Sequence, residues 1–330
     1  MKIIDMHSDT ISVLLRNNEH LYSSQHMIDI KKLMEADYLL QCFAMFIPYL
    51  DPRKENYSPY TYCNEMIDKY YEEMELNKDY IRPVYTYEDI ETNIKDNKIS
   101  SLLTIEEGGV CLGDLEKLEH FYNRGVRLMT ITWNFKNELA CPNIDYTNMK
   151  FDSNEPPVFT ANTVDGLTEK GIEFIRRMNE LGMVIDCSHS SDKTFYDCIK
   201  YSNKPIVCSH SNARSVCDFP RNMTDDMLYK LKENGGVVGI NFCHDFIKQD
   251  ESDASIKDVV EHINYIRNLI GVDHIALGSD FDGISNEDIE LKDATKMPLL
   301  LEELRNQNYT QEEIDKISHL NVLRVLKQII

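Results

Sequence analysis

Eight short apolar runs divide this chain at intervals, and no other feature constrains its fold as strongly. They cover residues 2–6, 39–47, 101–105, 126–132, 183–187, 205–208, 237–243 and 274–278. Each is rich in Ile, Val, Leu or Phe and lacks clean polar alternation. Strands buried on both faces read this way, and such strands belong to parallel sheets. Helix signals fill the gaps. In DGLTEKGIEFIRRMNELG, Thr168 is a candidate cap, Ile172, Ile175 and Met178 fall near one face, and Gly182 stands at the stop. TDDMLYKLKENGG starts at Thr224 and ends at Gly235, and Thr310 with Glu313 reads as a capping box. Eight strands alternating with helices predict an α/β chain, a single (β/α)8 barrel domain over residues 1–330. An open doubly wound sheet would want a glycine-rich phosphate loop after the first strand, and DMHSDT has none.

Composition narrows the function classes. A formal net charge of −21 repels phosphate backbones and anionic membranes, so neither nucleic acid nor a lipid surface is an expected partner. No run of eighteen apolar residues occurs, so no membrane span is expected. The N-terminal apolar run is broken by Asp5, His7, Asp9 and Arg16, unlike a signal peptide. Nine cysteines, an odd number without CxxC, fit a reducing cytoplasmic compartment and no disulfide framework. A homodimer is the expected assembly, because closed two-fold dimers are the commonest.

The strand ends carry the chemistry. Residues i and i+2 of a strand share a face, so His7 and Asp9 point the same way, close enough to share a metal ion. Asp5 lies one step deeper, as support for a ligand. Alone, the pair would read as a satisfied polar pair. The third strand, however, closes on Glu106 and Glu107, the fifth on His189, the sixth on His210 and the eighth on Asp280 and Asp282. In a barrel those ends converge on the C-terminal face, where barrel enzymes keep their catalytic groups. Three imidazoles and three carboxylates exceed one tetrahedral zinc and suit two ions bridged by a carboxylate. An all-nitrogen-and-oxygen set favours zinc, with Mn²⁺, Fe²⁺ or Co²⁺ as alternatives. Cys187 and Cys208 are expected as packing on the faces of their histidines. His244 is a weak further candidate, and Asn134 or Asn137 could join the pocket. No GxSxG elbow or activated cysteine stands out, which leaves water as the nucleophile. The long segments 137–166 and 281–297 follow predicted strands and would overhang the same face.

These motifs resemble the membrane (renal) dipeptidase family, the M19 metallopeptidases. The resemblance rests on DMHSDT, IEEGG at 105–109, the stretch GLTEKGIEFIRRMNELGMVIDCSHSS, KPIVCSHSNARSVCDFPRNMTDDML, GGVVGINF and GSDFDG. It implies a barrel with two zinc ions that hydrolyses dipeptides, D-residues at the second position included. By motif, His7 and Asp9 would hold one metal, Glu107 would bridge both, and His189 and His210 would hold the other. Asp280 would manage the proton, and Arg221 would clamp the substrate carboxylate. Trp133 stands where mammalian members have a histidine that binds the carbonyl oxygen; indole offers one uncharged donor. The resulting expectation is a cytoplasmic dinuclear metallo-dipeptidase in which a metal-bridging hydroxide attacks the peptide carbonyl. A related amide, lactam or lactone hydrolase and a non-catalytic metal-binding relative are the alternatives.

Overall fold

In the computed structural model, residues 2–48, 58–146, 159–250 and 252–330 are described. Nine strands run through them: β1 (Ile3–Asp5), β2 (Tyr38–Phe46), β3 (Ile81–Pro83), β4 (Ile99–Glu106), β5 (Leu128–Thr130), β6 (Val184–Asp186), β7 (Val207–Cys208), β8 (Val237–Ile240) and β9 (Ile275–Leu277). All pairings between them are parallel. β1 joins β9, and β2 joins β4 along seven residue pairs, so eight strands close into the expected (β/α)8 barrel. The ninth, β3, has no counterpart among the predicted runs. It pairs with the start of β4, at Ile99, Ser100 and Ser101, and β5 takes over the same edge from Thr104 onward. The long β4 thus serves two neighbours in succession.

Alternation along the strands builds the interior in layers. Leu102, Leu128, Val184, Val207, Val237 and Ala276 share one apolar cluster with Val322, Val325, Leu326 and Ile329 of the last helix, Asn321–Ile329, which closes the N-terminal end. One step further along lie the polar Thr104, Thr130, Asp186 and Ser209, all buried. The intervening residues Leu103, Ile105, Met129, Ile185 and Val238 belong to the larger cluster with the surrounding helices. Cys187 and Cys208 sit in that outer cluster too, so they are packing as expected but on the helix side rather than beneath the histidines. Gly239 and Gly278 mark where the interior is tightest: a Cβ at either would lie within 2.0 Å of the Ser209 carbonyl oxygen, at 1.9 and 1.8 Å.

The helix signals hold. Thr168 caps helix Glu169–Leu181 through the Gly171 amide, and the chain leaves it at Gly182 in the left-handed region. Thr224 caps Asp225–Asn234, and the Thr310–Glu313 capping box is formed. No helix of the described residues is long and apolar enough to cross a membrane.

Candidate metal centre

The C-terminal ends of the barrel strands bring His7, Asp9, Glu106, His189, His210 and Asp280 together. Several of them sit where the chain abandons extended backbone. His189 and Asp280 have φ of 63° and 65°, a region costly for residues with a Cβ. That turn at His189 re-aims its ring after β6 has ended at Asp186. His7 stacks on His210 with ring centroids 3.8 Å apart.

Glu106 is the hub. Its Oε2 lies 3.3 Å from His7 Nε2, while its Oε1 lies 2.9 Å from His189 Nε2 and 3.3 Å from His210 Nε2. On the Oε2 side, His7 Nε2 is also 3.7 Å from Asp9 Oδ1 and 3.9 Å from Asp280 Oδ1. One carboxylate therefore faces two groups of donors, an oxygen to each. This corrects the expectation for Glu107. β4 runs through Glu106, and alternation from Leu102 and Thr104 turns Glu106 inward. Glu107 follows on the other side, at φ 110°. Its carboxylate accepts from the Gly109 amide at 2.6 Å, the Trp133 amide at 2.9 Å and the Asn137 side chain. Burial pushes Glu107 up to about 7. It braces the β4 and β5 loops and does not reach the histidines.

A second layer holds the donors. Asp186 accepts from Thr130 Oγ1, the Ser188 and Ser209 amides and Ser209 Oγ, at 2.6 to 3.0 Å. Ser209 Oγ is in turn 2.7 Å from His210 Nδ1. Asn134 Oδ1 is 2.8 Å from His189 Nδ1. With Nδ1 engaged, each ring presents Nε2 to the centre. Asp5 plays the matching part for β1, accepting from the Ser279 amide and hydroxyl at 2.8 and 2.6 Å and from the His7 amide at 3.3 Å. Asn241 donates to Asp280 Oδ2 at 2.9 Å, leaving Oδ1 towards His7. Asp282 turns away and accepts from Thr10 Oγ1 and the Met27 and Ile28 amides, pinning a loop. His244 bonds Asp245 and the Ser252 carbonyl instead of the centre. Of the long segment 137–166, residues 147–158 lie outside the described residues.

The charges of the centre suit a cation. Burial acts to lower His7, yet Glu106, Asp9 and Asp280 outweigh it and hold the imidazole up at about 10. Burial acts against ionised Glu106, but His7 and the other imidazoles hold it well below the carboxylate range. Burial and Glu106 push Asp9 well above that range, and burial raises Asp280. Burial lowers His189 to about 4 and keeps His210 well below its ordinary value. Both His7 ring nitrogens and Asp9 Oδ1 are buried without a hydrogen-bond partner. Orphaned donors among crowded carboxylates are costly in a folded interior and suit divalent ions. His7, Glu106 and His210 form one potential ligand cluster, and His7, Asp9 and Asp280 another. A Cβ on Gly283 would lie 2.2 Å from Asp9 Oδ2 and 2.7 Å from Asp280 Oδ1, so that glycine leaves room for the two acids.

A cavity of about 300 Å³ opens above the centre, lined by Asp9, Glu106, His189 and Asp280 with Phe46, Trp133, Asn134, Tyr146, Cys243 and Phe246. The Trp133 ring stands 6.0 Å from that of His189. Arg221 is 2% exposed, and its polar partners are neutral: Ser211 Oγ at 3.3 Å and the His210 carbonyl at 3.2 Å. Its Nε has no partner, and no carboxylate of the described residues reaches salt-bridge distance.

The sequence model of the membrane dipeptidases, peptidase family M19, matches residues 1–330. An uncharacterized protein from the pqqA 5′ region of Klebsiella pneumoniae is 39% identical over 244 residues, 73% of this chain and 86% of that protein. An uncharacterized dipeptidase of Schizosaccharomyces pombe is 33% identical and spans 99% of this chain and 80% of its own. A similar fold is seen in the crystal structure of a metallo peptidase from Rhodobacter sphaeroides liganded with a phosphinate mimic of the dipeptide L-Ala-D-Ala. Its TM-score is 0.88, at 23% identity, over 100% of this chain and 99% of that one.

Proposed function

The chain belongs to peptidase family M19, the membrane dipeptidases, and is a peptide-bond hydrolase of the metallo-dipeptidase class; on that premise we propose that it cleaves dipeptides with two divalent ions held at the barrel mouth. His7 and Asp9 would hold one ion and His189 and His210 the other, with Glu106 within reach of both groups. Zinc suits these nitrogen and oxygen donors best, with Mn²⁺, Fe²⁺ and Co²⁺ as alternatives. Bound there, the ions would polarise the scissile carbonyl and acidify a water. The chain's own residues do the rest. Arg221 pairs with the substrate's C-terminal carboxylate in a bidentate contact that neutral partners have left open. Asp280 Oδ1 takes the proton of the attacking water and returns it to the leaving amine, while Asn241 on Oδ2 keeps the carboxylate from swinging. Trp133 walls the carbonyl off from solvent and offers a single N–H. Nine free thiols are in keeping with a reducing compartment, and we place the enzyme in the cytoplasm.

The observation that carries this reading is the convergence of three imidazoles on the two oxygens of Glu106, next to a buried arginine without a counter-charge. Its test is a dipeptide panel run on protein loaded with zinc, manganese or cobalt. The panel includes D-residues at the second position, as in the mimic bound by the Rhodobacter relative. Hydrolysis that a chelator abolishes is expected. Arg221→Ala should raise KM at least about 30-fold, the cost of losing a buried charge contact. No turnover of any member by any metal form would sink the reading.

A further inference from the structure

Six aromatic side chains form an unbroken arc along one side of the cavity. Phe46, at the end of β2, meets Trp133 edge-on with centroids 4.9 Å apart, and Trp133 meets Tyr146 edge-on at 5.7 Å. The arc continues through Phe159 at 6.5 Å, Phe219 at 5.3 Å and Phe246 at 5.0 Å. All six are only partly buried, and four of them line the cavity itself. At its far end the arc meets Arg221, whose guanidinium carbon lies 5.2 Å over the Phe246 ring. The rest of the lining is mostly polar and includes Asp9, Ser12, Arg16 and Asp280. Apart from Trp133, hydrolysis at the centre makes no use of the arc's apolar faces. Apolar surface of this kind beside a polar site is what a ligand's side chain covers.

We propose that this arc is the subsite for the side chain of the substrate's C-terminal residue, and that the enzyme prefers dipeptides ending in a large apolar or aromatic residue. The inference rests on the dipeptidase reading above. The carboxylate that Arg221 takes is bonded to the Cα of the C-terminal residue. The side chain of that residue therefore leaves within a few bonds of Arg221, beside Phe246 and Tyr146. The N-terminal residue lies across the scissile bond, where its ammonium meets Asp9 and Asp280. An acidic side chain at the C-terminal position would gain no apolar contact from the arc and would bring its charge near Asp9, Glu106 and Asp280.

The experiment is a matched pair of series on the metal-loaded enzyme: Gly-Ala, Gly-Leu, Gly-Phe and Gly-Asp against Ala-Gly, Leu-Gly, Phe-Gly and Asp-Gly. Within the first series kcat/KM should rise about tenfold or more from Ala to Phe, a step larger than the same change makes in the second. Phe246→Ala and Tyr146→Ala should each pull the Phe-to-Ala ratio of the first series towards unity. Turnover of both series with a flat order, a preference for Asp, or selectivity carried by the N-terminal residue overturns the inference and leaves the dipeptidase reading standing. No turnover of any member overturns both. The unaltered enzyme alone decides the first comparison, so a variant that fails to fold does not block the test.

Discussion

Replacing Glu106 by Gln removes the carboxylate on which three imidazole nitrogens converge within 3.3 Å. Metal affinity should fall by more than ~100-fold, beyond the usual cost of losing a mere support of a ligand, as read by competition with a chelator. The same change at Glu107 should behave differently. Gly109, Trp133 and Asn137 all donate to Glu107, and an amide there would turn its own N–H₂ towards a donor. Glu107→Gln should cost about 1–3 kcal/mol of stability and leave metal affinity within a few-fold. If the two variants exchanged these phenotypes, Glu107 rather than Glu106 would be the bridging ligand. Adjacent acids gain separate tasks because a strand's alternation separates them. The choice was within reach of the residues alone, since Leu102, Thr104 and Glu106 share a period of two. The motif points to Glu107, the acid directly before the two glycines, whereas the strand's alternation points to Glu106.

At the scale of elements, the histidines and Asp280 were legible because each stands where an apolar run stops, and a barrel gathers such ends on one face. β3 was not legible. It is three residues containing a proline, and it is a strand because it pairs with the stretch of β4's edge that β5 leaves free. Of the supports, Asp5 and Asn134 were legible, one inside a strand pattern and one just after a strand, but Asp186 was not, because it acts through a bond to Ser209, 23 positions away across the barrel. Their task can be tested. Asp186→Asn should weaken metal binding 10- to 100-fold through Ser209 and His210, while costing ~3 kcal/mol of stability. A second element-level test concerns His262, buried in helix Ile256–Ile270. It accepts the Ala213 amide at Nδ1 and donates to the Ile247 carbonyl from Nε2, so protonation would break a bond that ties this helix to the β7 loop. Burial lowers its pKa from 6.5 to about 4. The unfolded chain therefore takes up the proton first. The stability due to neutral His262 is full above pH 6.5 and is lost as pH falls towards 4, by up to ~3 kcal/mol. Denaturant unfolding at pH 7 and pH 5 should show this slope. His262→Gln should be less stable at pH 7 yet lack that part of the slope.

For the whole molecule, the barrel packs its walls with apolar side chains and crowds its mouth with acids and imidazoles, so the mouth is expected to gain stability from cations. The lower interior is a closed apolar layer, while Asp9, Glu106 and Asp280 crowd the upper end with orphaned donors between them. Two ions at 100 times their dissociation constants would add about 5 kcal/mol, since each such site contributes ~2.7. In a chain of this size that corresponds to a fall in Tm of roughly 10 °C on chelation. A structural metal elsewhere would give a similar fall, so the sign of a second effect is the sharper test. Without metal, the Asp9 carboxylate is held well above its ordinary pKa by burial and Glu106, which means its charge opposes folding. Asp9→Asn should therefore be neutral or stabilising in chelated protein and destabilising in metal-loaded protein. Scanning Asp9→Asn and the unaltered protein in both states measures this directly. A destabilising Asp9→Asn in the chelated protein would mean that the carboxylate supports the fold by itself, and the cation-dependent mouth would have to be abandoned. The inversion is the expected mark of residues kept for their chemistry at the expense of the bare fold.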